Sequence, residues 1–441
     1  MNVYLESLGC ARNLVDSEVM LGHLAKADWK IISDPSDADL IVINTCSFIE
    51  SAVDESIETI LTLSEYKKSG KCKHLVVAGC LPERFREDIA AELEEVDLFL
   101  GTGAADKIAE AVDKIVDYGE NNCILPDPND VSPIKADLPR ILTSPDIAYI
   151  KIAEGCDRHC TYCIIPKLRG KYRSRPEDDI LKEAGKLVGS GVKELILVAE
   201  STTDYGQTGG DSTDSLENVL KSISLIDGDF RLRMLYGFPD TLEDSVIKII
   251  GDNDKICTYF DIPIQHASNN ILKKMGRNYT REELYELYDK IREMVPDATL
   301  RTTLITGFPG ETEEDFNELM EFVEDIEFDH LGVFVYSDSE DLPSHKLKNH
   351  VHEDVAQKRH DAIMELQAKI SQKNNFRHKN NTYKVLIEEN PDEGLYLGRT
   401  EFQAPDVDGV TFVYSENLTI GSFVDVKITD AYEYDLAGEV I

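Results

Sequence analysis

The stretch Glu154-Gly155-Cys156-Asp157-Arg158-His159-Cys160-Thr161-Tyr162-Cys163-Ile164-Ile165-Pro166 follows a short apolar run, Tyr149 to Ile152, that reads as a strand. Its cysteines are spaced C-x3-C-x2-C. Thiolates are the ligands of iron-sulfur clusters, and three of them can hold a four-iron cube while one iron stays open to a chelating small molecule. The amino-acid end of S-adenosylmethionine is the natural candidate for that iron. A structural zinc site would need a fourth Cys or His closing a tetrahedron. Only His159 is near, and it lies beside Cys160 in the same short loop, badly placed to join Cys156 and Cys163 on one ion. The spacing therefore favours the cluster.

Working outward, the triad opens a βα series: Tyr149 to Ile152, Leu195 to Ala199, Arg231 to Met234, Tyr259 to Ile262, Thr299 to Ile305 and His330 to Val335. Six strands separated by helical stretches predict a parallel barrel or part of one, with its chemistry at the carboxyl edge. Glu200, just past one of these strands, is a candidate for the ammonium of the methionine moiety, and Arg301 for its carboxylate. Gly307-Phe308-Pro309-Gly310 lies between a strand and a helix, where Gly307 and Gly310 would let backbone amides approach an anionic group. Gln265 and His266 are expected near the barrel mouth, His266 as a structural residue. Arg169, Lys171, Arg173 and Arg175 form a basic patch that could steer an anionic substrate or simply keep the loop soluble.

A second βα series precedes the first. Cys10, Cys46 and Cys80 each stand just beyond a strand, in Leu8-Gly9-Cys10, Asn44-Thr45-Cys46 and Ala78-Gly79-Cys80, separated by 36 and 34 residues. Each interval is one βα unit. The carboxyl ends of neighbouring parallel strands share a crevice, so these thiols can converge on a second cluster. Cys72, Cys123 and Cys257 follow no such pattern and read as ordinary thiols.

The predicted class is α/β, with a parallel α/β cluster domain over 1–118, a Pro-rich linker over 119–141, a partial (β/α) barrel over 142–374 and a small antiparallel β-barrel over 375–441. The chain of 441 residues shows neither a signal peptide nor a membrane span at its Met1 to Leu8 start, which predicts a cytoplasmic protein without disulfides. A formal net charge of -38 argues against broad electrostatic capture of nucleic acid.

Taken together, these residues resemble the methylthiotransferase family of radical S-adenosylmethionine enzymes across essentially the whole chain. The landmarks are Ser7-Leu8-Gly9-Cys10-Ala11-Arg12-Asn13 with Asp16-Ser17-Glu18, Asn44-Thr45-Cys46, Gly79-Cys80, and Cys156 to Cys163 with Ile165-Pro166 and Arg169-Gly170. The resemblance implies two [4Fe-4S] clusters, a radical one on Cys156, Cys160 and Cys163 and an auxiliary one on Cys10, Cys46 and Cys80 that presents sulfur. It implies S-adenosylmethionine as both radical source and methyl donor, an electron donor, a sulfur source, and a C-terminal TRAM barrel.

Two branches of the family compete: one modifies adenosine in tRNA, and the RimO type modifies the β-carbon of an aspartate in the twelfth small-subunit ribosomal protein. Phe48-Ile49, Glu55-Ser56-Ile57, Thr202 to Gly206, Leu235-Tyr236, Ala404 to Gly409 and Tyr434-Asp435-Leu436 resemble the second. The charge of the last segment agrees: residues 375–441 hold five Lys or Arg against thirteen Asp or Glu, a poor surface for a phosphate backbone but suited to a basic protein. A non-catalytic iron-sulfur sensor or electron carrier is the more distant alternative, and it needs neither an open iron nor a cofactor-binding barrel. Glu200 departs from the family, which more often shows Gln there.

Overall fold

The computed structural model describes residues 1–118, 122–207 and 214–441; the first residues of the expected linker, 119–121, lie outside them. The run Leu40–Thr45 (LIVINT) is buried at every position and His74–Gly79 (HLVVAG) at all but His74, as strands covered on both faces must be. With Asn2–Ser7 they form the middle of a six-stranded parallel sheet, completed by Lys30–Ile31, Leu98–Leu100 and Asn122–Ile124. The last strand pairs with Leu98–Leu100 inside the stretch expected to be linker, so the sheet continues beyond residue 118.

The six expected core strands are present as Ile147–Lys151, Glu194–Val198, Arg231–Met234, Tyr259–Asp261, Thr299–Thr306 and His330–Val335. They form two three-stranded parallel sheets joined by a bridge between Leu232 and Ile256. The period of two along each strand sorts the side chains. Ala148, Ile150, Leu195, Leu197, Leu232 and Leu300 pack outward under the helices. Tyr149, Ile196, Val198 and Tyr259 face inward and pack with Val15 of the helix Ala11–Lys26 and with Ala404. The interior of this half-barrel is thus filled by its two neighbours in the chain.

The C-terminal strands Thr382–Asp392, Leu395–Arg399, Thr411–Tyr414, Phe423–Ala431 and Leu436–Val440 close into a barrel. It is not wholly antiparallel as expected: Thr411–Tyr414 and Leu436–Val440 run parallel, because the last strand inserts beside the third instead of continuing the meander. Among the described residues no helix is long and apolar enough to cross a membrane.

Buried ion pairs join these units. Glu194, at the start of its strand, receives Arg233 at 2.7 Å, Arg231 at 2.8 Å and, from the C-terminal barrel, Arg399 at 2.6 Å. Burial opposes charge on this carboxyl, but Arg231, Arg399 and Arg233 hold it well below the ordinary Glu range. Its folded value is depressed, so its contribution is complete above the unfolded pKa of about 4.3 and is lost only as pH falls through the lower folded value. Glu194→Ala should therefore cost about 3–5 kcal/mol by stranding the guanidiniums of Arg231 and Arg233, while Arg399 keeps Glu388. Chemical denaturation should show that deficit unchanged between about pH 5 and pH 8. An equal midpoint for variant and wild type would remove Glu194 as the anchor of the C-terminal barrel.

Candidate active site

The carboxyl ends of the six core strands surround a cavity of about 250 Å³ lined by Cys156, Cys160 and Cys163. The loop that carries them is pinned before any ligand binds. Cys156 N–H donates to the Gly170 carbonyl at 3.0 Å, Thr161 N–H to Met275 at 2.9 Å, and Cys163 N–H to Cys160 at 3.1 Å. Gly155 enters the loop at φ +81°, and a Cβ there would stand 2.1 Å from the Lys171 carbonyl oxygen, so only glycine fits.

Cys10 caps the N-terminal end of helix Ala11–Lys26, Cys46 follows Leu40–Thr45, and Cys80 starts the helix Cys80–Phe85. Besides burial, Cys10 raises the Cys46 thiol, and both Cys46 and Cys10 raise that of Cys80, so the three residues lie near one another at that sheet edge. A Cβ on Gly9 would fall 2.9 Å from Cys46 Cβ, so the Cys10 loop lies directly on Cys46.

In each triad two thiols are buried enough to be shifted. Burial pushes the Cys156 thiol up to about 11 and that of Cys80 up to about 12, and raises Cys46 and Cys163 as well. Such thiols stay protonated at neutral pH until a metal supplies the positive charge that a thiolate needs. Among the described residues no three His, Cys, Asp or Glu stand at the spacing of ligands to one ion. A cubane asks for a different arrangement, with one thiolate on each of three irons.

Two residues of the N-terminal domain reach into the cavity: Arg12, two positions after Cys10, and Phe48, two after Cys46. Arg12 Nε lies 3.0 Å from Glu200 Oε1, its Nη1 donates to the Ala199 carbonyl at 2.9 Å, and the guanidinium rests 4.7 Å over the Tyr236 ring. Burial opposes the charge of Arg12, while Glu200 and Cys10 sustain it. The field of Glu200 reaches Cys156 and Cys163 on one side and Cys80 on the other. Glu200 therefore lines the cavity as expected, but its partner in this structure is Arg12.

Three other expected contacts are elsewhere. Arg301 does not line the cavity; it pairs with Asp261 at 2.9 Å and with Asp408 at 3.4 Å, one layer below the mouth. Thr303, two residues on along the same face, takes the place at the mouth. The Gly307 and Phe308 amides donate to Glu311 Oε2 at 2.6 and 3.1 Å, and Gly310 N–H donates to the Asn349 carbonyl at 2.7 Å. Those donors are committed to the fold, so Gly307 and Gly310 shape a turn.

Gln265 does line the cavity, at φ +70°, whereas His266 is fully buried, accepts from the Ser268 amide and is pushed by burial to about 3. Of the basic patch only Lys171, exposed, and Arg173, half-buried, face outward. Arg169 and Arg175 are buried, paired with Asp16 and Glu154 and with Asp179 and Glu183.

The lining also includes Arg158, Tyr236, Phe238, Arg277 and Phe334, which local pattern did not single out as site residues. Tyr236 carries a signal only the backbone shows, φ +64° at a strand end, a strained conformation that marks functional sites.

Comparison with known proteins places this geometry. The uncharacterized protein family UPF0004 matches residues 2–101, the radical SAM superfamily residues 150–323 and the TRAM domain residues 381–441. Ribosomal protein uS12 methylthiotransferase RimO of Clostridioides difficile is 47% identical over 100% of this chain and 99% of its own. The protein of the same name from Desulfosudis oleivorans is 48% identical over 100% of both. Among solved structures, the radical S-adenosylmethionine methyltransferase TsrM from Kitasatospora setae superposes with a TM-score of 0.57 at 15% identity, over 78% of this chain and 77% of that one, a likeness of fold. A radical SAM domain works with an iron-sulfur cluster and S-adenosylmethionine, and this enzyme uses both. Matched from end to end at nearly half its positions, the chain belongs to the RimO family of radical S-adenosylmethionine methylthiotransferases.

Proposed function

We propose that this enzyme places a methylthio group on the β-carbon of an aspartate in ribosomal protein uS12, in the cytoplasm. In this reading Cys156, Cys160 and Cys163 hold the radical-generating four-iron cluster, and Cys10, Cys46 and Cys80 hold a second one. The observation that carries it is the shared cavity: residues beside Cys10 and Cys46 line the space that the other triad lines, and Glu200 stands within the field of both. When bound, the clusters and S-adenosylmethionine supply the hydrogen-abstracting radical and the methylthio group, with an external reductant and sulfur source.

The chain's own residues do the rest. The pinned loop fixes three thiols, the Arg12–Glu200 pair stands on the cavity wall beside Cys10, and Phe238 and Tyr236 hold the guanidiniums of Arg158, Arg277 and Arg12 against that wall. Glu200 also remains the candidate for the ammonium of S-adenosylmethionine, since it faces the cavity; Arg12 would then share it. The choice of a protein over tRNA is supported by the relatives' names and by the acidic C-terminal segment, whose five basic and thirteen acidic residues suit a basic ribosomal protein.

After anaerobic reconstitution, incubation with S-adenosylmethionine, reductant and either small ribosomal subunits or tRNA should yield a methylthio group on a uS12 aspartate, read by mass spectrometry. Modification of tRNA alone would sink the proposal. Replacing Cys10, Cys46 and Cys80 together by Ala should lower bound iron to roughly half while reductive cleavage of S-adenosylmethionine persists, because three thiolates hold each cluster. Full iron with no cleavage would reverse the two assignments.

A further inference from the structure

The cavity is lined by three arginines, and two of them are neutralised within the fold. Arg12 faces Glu200 at 3.0 Å. Arg158 faces Asp204 at 2.6 Å and Asp240 at 3.0 Å. Arg277 differs: among the described residues it has no carboxylate at salt-bridge distance, its Nε and Nη2 donate only to Tyr162 Oη at 3.1 and 2.6 Å, and its shielded Nη1 has no hydrogen-bond partner. Its guanidinium is held 4.4 Å over the Phe238 ring, on the cavity wall. A largely buried cation with no carboxylate partner, whose nearby negative charge comes only from the Cys160 sulfur and the tyrosine hydroxyls, is costly, and a carboxylate arriving beside it recovers part of that cost.

The substrate reading above, on which this inference rests, brings such a group. Reaction at the β-carbon of an aspartate carries its carboxylate, one bond away, into the same confined space. The other carboxylate of the reaction, on the methionine moiety, would find its counter-charge at the open iron if Cys156, Cys160 and Cys163 hold the cluster. An aspartate side chain has none unless the protein provides it, and a forked guanidinium is the group best matched to it. We propose that Arg277 is the specificity residue that receives the carboxylate of the target aspartate, with the Tyr162 hydroxyl beside it as a second donor. Arg277 thereby selects aspartate over asparagine, whose neutral amide leaves the guanidinium unpaired.

The test uses reconstituted holoenzyme and purified uS12 carrying either Asp or Asn at the acceptor position. Wild type should bind the Asp form at least about 30-fold more tightly, the range of a broken buried charge pair. Arg277→Gln should weaken binding of the Asp form by that factor and bind both forms within roughly threefold of each other. Arg277→Lys, which keeps the charge without the fork, should retain a reduced Asp preference and serves as the test if the Gln variant does not fold. A preserved Asp preference in these variants would overturn the assignment. So would a loss of S-adenosylmethionine affinity or a changed spectrum of the reduced cluster, because Arg277 would then serve the cofactor. If wild type leaves uS12 unmodified, the substrate reading itself has failed, and this inference falls with it.

Discussion

The arrangement of the two cysteine triads depends on one buried cluster of four charges. Asp16, on the helix that Cys10 caps, accepts from Lys151 at 2.7 Å and from Arg169 at 2.8 Å, and Glu154 closes the square with Lys151 at 2.9 Å and Arg169 at 3.0 Å. Lys151 ends the strand leading into the cluster loop, Glu154 stands just before the loop, Arg169 at its exit, and Asp16 in the other domain. Such a network contributes little net stability, since burying four charges costs about what their attraction returns. Its value is positional: the ions tolerate one registry, and that registry sets the N-terminal domain on the mouth of the half-barrel. Glu18 reinforces it through Arg140 at 2.6 Å, which also holds Glu183 at 2.6 Å.

Much of this architecture was legible in the sequence because it is written locally. Apolar runs of strand length, cysteines recurring at βα intervals and the C-x3-C-x2-C loop each carry their meaning within a few residues, and the structure has strands where those runs are. What local pattern could not supply is the identity of distant partners. Arg169 and Arg175 look like a solvated patch until Asp16 and Glu183 are brought to them from elsewhere in the chain. Arg301 looks like a cofactor ligand until Asp408 arrives from the C-terminal segment. Glu311 lies inside the very loop it satisfies, yet nothing in its spacing says that it folds back onto the Gly307 amide.

The same distinction applies to the motif Ala404 to Gly409. As sequence it serves as a label of one branch of the family. In the fold it is a plug: Ala404 packs against Tyr149, Ile196 and Tyr259, and Asp408 accepts from Tyr259 Oη at 2.6 Å and from the Ala404 amide at 2.8 Å. The acidity of this segment is thus partly internal, spent on core arginines and tyrosines, and only the remaining carboxylates are available to a basic partner.

Filling the half-barrel from both ends of the chain limits how this protein can be cut or recombined. A core excised at its domain boundaries would expose Tyr149, Ile196, Val198 and Tyr259, an apolar surface that normally touches Val15 and Ala404. The catalytic centre is therefore not a portable cassette. Exchange of a terminal domain between relatives requires the inward-facing residues of the strands to travel with it, so the three parts of this chain must vary as one unit.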